Sequence, residues 1–252
     1  MRFLRSLSVL LISAAISFGA DDNEPPMLKG LTFGPYDGWT NCLALNDKSQ
    51  RFQAVVVPEL GGRIPHYSHE LVNILYQNPA ADGKTLDNAA GPFYAGGYQC
   101  DLGPETIPLP PRLGLLLGRN EWRSPRDYTI ETASPVDPGV GVRLLKSFTM
   151  DPDTGELGLL QRMVNTSPAP IFHNLHDRTA CKGGGFAFFK LNPASRHANG
   201  WSVFKTSEDR YFYEPAEALP ENVEIEKGHL LIDTGHGAAK VGADVAEGWI
   251  AY

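Results

Sequence analysis

The residues best suited to chemistry lie in the segment 171–178, which reads IFHNLHDR. If 171–175 begins a β-strand that continues through the segment, side chains alternate with period two, so Asn174, His176 and Arg178 share one face and His173 lies on the other. A histidine can serve as a general acid or base near neutral pH, and an arginine is a fixed donor to anions and hydroxyls. The segment therefore predicts either the wall of a ligand cleft or an ordinary solvated strand face.

A glycine-rich segment supplies two carboxylates. Asp101 and Glu105 stand four residues apart in 96–105, which reads GGYQCDLGPE and which we expect to form a loop. Paired carboxylates catalyse glycoside hydrolysis or proton transfer when they are about 5–10 Å apart, although two acids in one loop also occur by chance. Arg63, which follows a Gly-Gly pair, is a further polar candidate.

The histidines at 66 and 69 and the tryptophans could each have either a functional or a purely structural role. His66, His69 and Glu70 are metal ligands by type but lack H-x-x-x-H or H-E-x-x-H spacing, so we interpret them as part of a surface loop and predict no metal and no cofactor. Tryptophans either stack on sugar rings or pack within a β domain. The three concerned are Trp39, Trp122 and Trp201.

The elements that would position these residues are strands. The pattern predicts a hairpin from Val142–Met150 and 157–164, joined by the turn residues 151–155 (DPDTG). One face of its first strand carries Val142, Leu144, Phe148 and Met150. Further strands are predicted at Phe52–Val57, where an AVVV run indicates burial on both faces, and at 171–175; residues 248–252 are predicted to begin another.

Glycine and proline recur throughout, and no segment keeps helical spacing of apolar residues over three turns. Both features are typical of an all-β chain. We therefore predict one large antiparallel β-sandwich over residues 31–252, which follows a flexible lead-in at 21–30. The chain ends inside a predicted strand, so the sandwich is either complete or lacks its C-terminal part. Its three cysteines form at most one bridge, or else are buried as small hydrophobic residues; they are Cys42, Cys100 and Cys181.

The first residues predict export. Arg2 and Arg5 precede an uncharged run at 7–18 and the small residues Gly19 and Ala20, which is the order of a cleaved signal peptide over residues 1–20. Without them the formal charge of −7 becomes −9, because they contain two arginines and no acid. A chain with this negative charge is poorly suited to binding the phosphates of nucleic acid. No later segment is long enough to span a membrane. We expect a secreted or periplasmic protein.

Several segments resemble the galactose mutarotase-like superfamily, which includes the aldose 1-epimerases, and above all its uncharacterised DUF4380 branch of bacterial exported proteins. The segments that carry the resemblance are 39–43 (WTNCL), 57–64 (VPELGGRI), 96–97 (GG), 103–105 (GPE) and Trp201. The resemblance covers most of 39–252 and implies a large β-sandwich of the supersandwich type.

Two local matches concern the epimerase residues themselves. Residues 165–170 (NTSPAP) followed by His176 are similar to the segment whose histidine protonates the sugar ring oxygen, so the resemblance implies that role for His176. Residues 88–97 are similar to a segment that ends in His-Gly-Gly, but Ala95 stands where that histidine would be. Mutarotation also needs a general base, a glutamate near the C-terminus of those enzymes, so the catalytic set is incomplete.

These observations favour an exported protein that binds or acts on a sugar or polysaccharide. His176 is the candidate acid, and the candidate ligand-binding residues are Arg63, Asp101, Glu105, Asn174 and Arg178. One alternative is a non-catalytic structural or interaction module of the envelope. Another is a hydrolase or lyase that uses Asp101 and Glu105.

Overall fold

The computed structural model describes residues 28–104, 109–207, 210–214, 218–236 and 240–252. The predicted signal peptide at 1–20 lies outside these ranges, as do Glu105 and most of the lead-in at 21–30. The described chain is built from antiparallel β-sheets, which confirms the predicted all-β class.

The described strands are short and follow one another with few helical turns. In chain order they are β1 Leu31–Tyr36, β2 Trp39–Asn46, β3 Phe52–Val57, β4 Arg63–His69, β5 Val72–Asn73, β6 Tyr98–Gly103, β7 Glu121–Arg123, β8 Thr129–Ala133, β9 Val142–Met150, β10 Leu157–Asn165, β11 Asn174–Thr179, β12 Phe186–Lys190, β13 Trp201–Ser207, β14 Arg210–Glu214, β15 Val223–Glu226, β16 His229–Asp233 and β17 Val241–Ala243. The helical turns are α1 Leu113–Leu117 and the 3-10 turns Pro58–Leu60, Pro79–Ala81 and Ala198–Gly200. No helix in the described ranges is long and apolar enough to cross a membrane.

The largest sheet has the strand order β1-β2-β3-β4-β6-β11, with β5 added beside β4. The predicted strand at Phe52–Val57 is β3, and its last four residues are all buried, as expected for a strand covered on both faces. Strand β11 closes the order at one end and pairs only with β6 among the described strands.

The second sheet, with the order β10-β9-β8-β7, contains the predicted hairpin. Asp151 begins its turn by accepting hydrogen bonds from the backbone N–H groups of Asp153 and Thr154 at 2.9 and 2.8 Å. Gly155 completes the turn at a φ of 75°, a conformation that favours glycine. Local turn chemistry thus sets the register of β9 against β10.

The two sheets pack face to face as a sandwich. Phe148 and Met150 of β9 lie with Leu43 and Ile64 of the large sheet in one buried cluster. The predicted apolar face of β9 is confirmed, because every second residue from Val142 to Met150 is buried. Burying a side chain such as that of Phe148 contributes about 1.5–3 kcal/mol to stability.

Two further sheets follow β11 in the chain, with the orders β12-β16-β15 and β14-β13-β17. They share a core of their own, which contains Phe189, Trp201, Val223 and Leu230. In the described part of the chain, no strand of these sheets pairs with a strand of the first two. The expectation of a single domain over 31–252 stays a prediction.

Two predicted strand positions are wrong. Strand β11 begins at Asn174 instead of residue 171, because Asn174 pairs with Gly103 and the next position on β6 is Pro104, which has no N–H for the ladder. Residues 248–252 do not begin a strand: only Ala251 pairs, through a single bridge to Phe188. The cysteines are free thiols, of which Cys42 and Cys100 are buried and Cys181 is partly buried.

Candidate functional site

The register of three adjacent strands places most of the predicted site residues on one surface. In the antiparallel pair β6 and β11, His176 lies opposite Asp101, Arg178 opposite Gln99 and Asn174 opposite Gly103. Directly opposed residues point to the same side of a sheet. The next strand over is β4, where Ile64 pairs with Tyr98. The preceding residue Arg63 therefore faces the same side as Gln99.

We call this surface the polar face; it carries Arg63, Gln99, Asp101, Asn174, His176 and Arg178. It lies opposite the sandwich core, because the alternate residues Cys100 and Leu102 pack with β9. Two strand spacings separate the backbones of β4 and β11, which is about 10 Å. Five of the six predicted site residues are thus neighbours, and the sixth, Glu105, lies outside the described ranges.

Arg63 is a buried residue of the polar face and only 2% exposed. Its guanidinium donates to the Gly96 carbonyl at 2.6 Å and to the side-chain oxygen of Gln99. Its Nε is buried and has no partner in the described structure. Burial, together with the nearby positive charge of Arg178, lowers the pKa of Arg63 to about 10.

Asp101 is also buried, at 2% exposure, and the expectation that it lies in a loop is wrong because it is part of β6. Arg112 donates hydrogen bonds to both carboxylate oxygens of Asp101, from Nε at 2.6 Å to one and from Nη2 at 2.8 Å to the other. Arg178 is a more distant partner at 3.6 Å. Asp101 is therefore the anchor of an ion-pair cluster, which sequence reasoning missed since Arg112 lies eleven residues away.

Of the other four residues of the polar face, Gln99 is buried at 8% exposure and three are at least partly accessible. Asn174 is exposed, His176 is partly buried, and the Arg178 side chain is 45% exposed. His176 has no hydrogen-bond partner within the described chain, which leaves its ring nitrogens unpaired there. His173 lies before the strand, where its Nδ1 is buried and unpaired in the described structure. His173 therefore does not belong to the polar face that carries His176.

Lys146 is an internal polar residue that the sequence interpretation missed. It occupies the buried face of β9, only 4% exposed, and its ammonium donates to the Gly61 carbonyl at 2.6 Å. Burial, together with the nearby positive charge of Arg63, lowers the pKa of Lys146 to about 8. The sequence did contain a signal for the burial of Lys146, because this residue alternates in phase with the apolar residues Leu144 and Phe148.

Gly62 packs against this lysine and two other buried polar side chains. A Cβ at Gly62 would lie 2.8 Å from the Asn120 amide nitrogen, 2.9 Å from the Thr132 hydroxyl and 3.5 Å from the Lys146 ammonium. Its φ of 63° also favours glycine. Glycine at this position lets the turn between β3 and β4 approach these groups.

The histidine cluster belongs to a strand instead of the expected surface loop. His66 and His69 lie in β4. His66 bonds the Tyr36 hydroxyl at 3.1 Å and the Ser68 hydroxyl at 2.9 Å, and burial lowers its pKa. Among the described residues, no group of three His, Cys, Asp or Glu side chains could hold a metal ion.

Two of the three tryptophans pack inside the protein. Trp39 is 1% exposed and donates to the Lys84 carbonyl at 2.8 Å, and Trp201 is 5% exposed in the core of the later sheets. Trp39 therefore offers no ring face for a sugar. Trp122 is partly buried and stacks on Phe33 with ring centroids 6.0 Å apart.

Two cavities lie among the later sheets, away from the polar face. One of about 450 Å³ is lined by His197, Gly200, Trp201, Ser202, Tyr213, Gly242, Ala243 and Asp244. Another of about 400 Å³ is lined by Phe186, Glu221, Asn222, Val223, Glu224, Leu231, Asp233 and His236. Neither contains a predicted site residue.

The fold and the polar face define an all-β sandwich protein with an arginine-rich surface on its large sheet. Comparisons with protein-family models, curated proteins and solved structures find no match to this chain. The resemblance to the galactose mutarotase-like superfamily therefore stays a prediction.

Proposed function

We propose that this chain is an exported carbohydrate-binding protein whose ligand lies on the polar face. The observation that carries the proposal is the register of β6 and β11, because it brings Asn174, His176 and Arg178 to one accessible surface. The resemblance to sugar-processing β-sandwiches supports a carbohydrate as the ligand. The signal-like residues 1–20 support export, to the periplasm or the outside of the cell.

The accessible residues match what a sugar requires. Sugar hydroxyls both donate and accept hydrogen bonds, and the amide of Asn174 and the imidazole of His176 also do both. Arg178 adds a planar set of donors. The buried residues behind them have a positioning role: Asp101 pairs with Arg178 at 3.6 Å, and Arg63 bonds Gln99 beside it.

The proposal is for binding instead of catalysis. Mutarotation and glycoside hydrolysis each need a second acid or base beside the first. On the described polar face the carboxylate is Asp101, and both of its oxygens accept from Arg112. Both oxygens of Asp101 are thus already engaged, and the described polar face has no second carboxylate that could serve His176 as a base.

A binding screen with one variant tests the proposal. We expect the protein to bind at least one member of a panel of neutral and acidic oligosaccharides, measured by isothermal titration calorimetry. His176→Ala is expected to raise the Kd at least tenfold, about 1.4 kcal/mol, because it removes a direct hydrogen-bonding group. The thermal midpoint should change little, since the described structure gives His176 no internal hydrogen bond.

The control is His236→Ala, whose side chain is 85% exposed in the cavity beside Asp233. This variant should bind as the unmodified protein does. No binding across the panel, or equal affinity for His176→Ala, would rule out a carbohydrate site on the polar face.

A second candidate function is a non-catalytic structural or interaction module. The specific observation in its favour is that Arg63 and Asp101 are buried and bonded to other parts of the protein, as purely structural residues would be. Unchanged sugar binding in His176→Ala would favour this candidate.

A further inference from the structure

Among the described residues, the polar face and its surroundings carry more positive than negative charge. The guanidinium groups of Arg112 and Arg178 lie within ion-pair distance of the Asp101 carboxylate, and the charge of Arg63 lies near that of Arg178. The whole chain has the opposite balance, with a formal charge of −7. The face is therefore a local cationic region on an acidic protein.

The charge of Arg63 is not neutralised by the described residues. Its hydrogen bonds go to the Gly96 carbonyl and the Gln99 amide, both uncharged, and its Nε has no partner. A buried cation without a counter-ion loses several kcal/mol of solvation. An anion held near this guanidinium would recover part of that cost.

The charge of Arg178 is the one a ligand can reach. Asp101 already receives two short bonds from Arg112, at 2.6 and 2.8 Å, so it is only a weak partner for Arg178 at 3.6 Å. The Arg178 side chain is 45% exposed. A guanidinium in this position can still form two parallel bonds with a planar carboxylate.

We propose that the ligand is an acidic saccharide of the uronate class, whose carboxylate is bound by Arg178 and stabilised by the field of Arg63. This inference rests on the proposed carbohydrate-binding function and names its substrate class. The accessible guanidinium of Arg178 is complementary to the single planar, singly charged carboxylate of a uronate. Asn174 and His176, which precede Arg178 on the same face of β11, then remain for the hydroxyls.

A matched pair of ligands tests the inference by isothermal titration calorimetry. The two ligands are an oligogalacturonate and its fully methyl-esterified form of the same length, which differ only in the charge of the carboxyl groups. We expect the acidic ligand to bind at least tenfold more tightly. The ratio of the two Kd values should shrink as salt is raised from about 50 mM to about 500 mM, because ions screen exposed charges.

Variants then test whether Arg178 supplies the positive charge that binds the ligand carboxylate. Arg178→Gln should bring the ratio of the two Kd values close to one, and Arg178→Lys should give an intermediate ratio since an ammonium keeps the charge but loses the planar fork. Arg162→Gln, at an exposed residue of β10, should leave the ratio unchanged.

The outcomes distinguish failure of the uronate assignment from failure of the proposed carbohydrate-binding function. Equal affinity for both ligands would overturn the uronate assignment and leave carbohydrate binding intact. Binding of neither ligand, nor of any other panel member, would overturn both. A preference that survives Arg178→Gln would overturn the role of Arg178, and a sulfated oligosaccharide that binds more tightly than the uronate would overturn the choice of carboxylate.

Discussion

Asp101→Asn is expected to lower the free energy of unfolding by about 3–5 kcal/mol, the usual cost of breaking a buried ion pair by removing one partner. The carboxylate is 2% exposed, accepts two short bonds from Arg112, and also accepts from the backbone N–H of Leu102 at 2.6 Å. Asparagine keeps the shape but removes the charge. The Arg112 side chain, 17% exposed, would then be a cation without its counter-ion.

Urea unfolding at pH 7 measures this effect against a matched control. Asp153 forms an ion pair of similar length with Lys48, at 2.8 Å, but both side chains are largely exposed. Asp153→Asn should therefore cost less than about 1 kcal/mol. If the two variants lose the same stability, the ion-pair cluster does not anchor the polar face. The double variant Asp101→Leu with Arg112→Met should recover much of the loss, because it leaves no unpaired charge of this pair.

Lys146 is expected to make the protein more stable as the pH rises above neutrality. Its pKa falls from 10.5 to about 8 on folding, because burial disfavours the charged form. Between these values the unfolded chain binds more protons than the folded chain, so the free energy of unfolding increases with pH. The whole shift corresponds to roughly 3 kcal/mol, of which about 1 kcal/mol falls between pH 7 and 9.

The comparison of the unmodified protein with Lys146→Met isolates this effect. The difference in free energy of unfolding between the two should change by about 1 kcal/mol from pH 7 to pH 9, in favour of the unmodified protein. The range stops at pH 9 because burial raises the pKa of Cys42 and Cys100 to about 12, which makes folding less favourable at higher pH. A difference that does not vary with pH would mean that Lys146 is not buried as a cation.

The parts of the fold that the sequence predicts well are those governed by short-range rules. The hairpin β9 and β10 was predicted from its turn residues and alternation, and β3 from its apolar run. The same alternation predicted a common face for Asn174, His176 and Arg178, which agrees with the register of β11. Each of these depends on residues within one or two elements.

Features that depend on distant partners were not predictable. The start of β11 is set by Pro104, which directly follows the neighbouring strand β6 and lies about seventy residues earlier in the chain. Asp101 was assigned to a loop because glycines surround it, whereas pairing with β11 makes the segment a strand. The pairing of β4 with β6, which brings Arg63 beside Gln99, has no local signal at all.

The most direct test of the central claim is the location of the bound sugar. We would assign the backbone amide signals by NMR and follow them during titration with the tightest-binding oligosaccharide of the panel. The largest shifts should fall on Asn174–Thr179 of β11, with smaller ones on the adjoining residues of β6 and β4. Shifts confined to the cavity beside Trp201 and Tyr213, with β11 unaffected, would contradict a ligand site on the polar face.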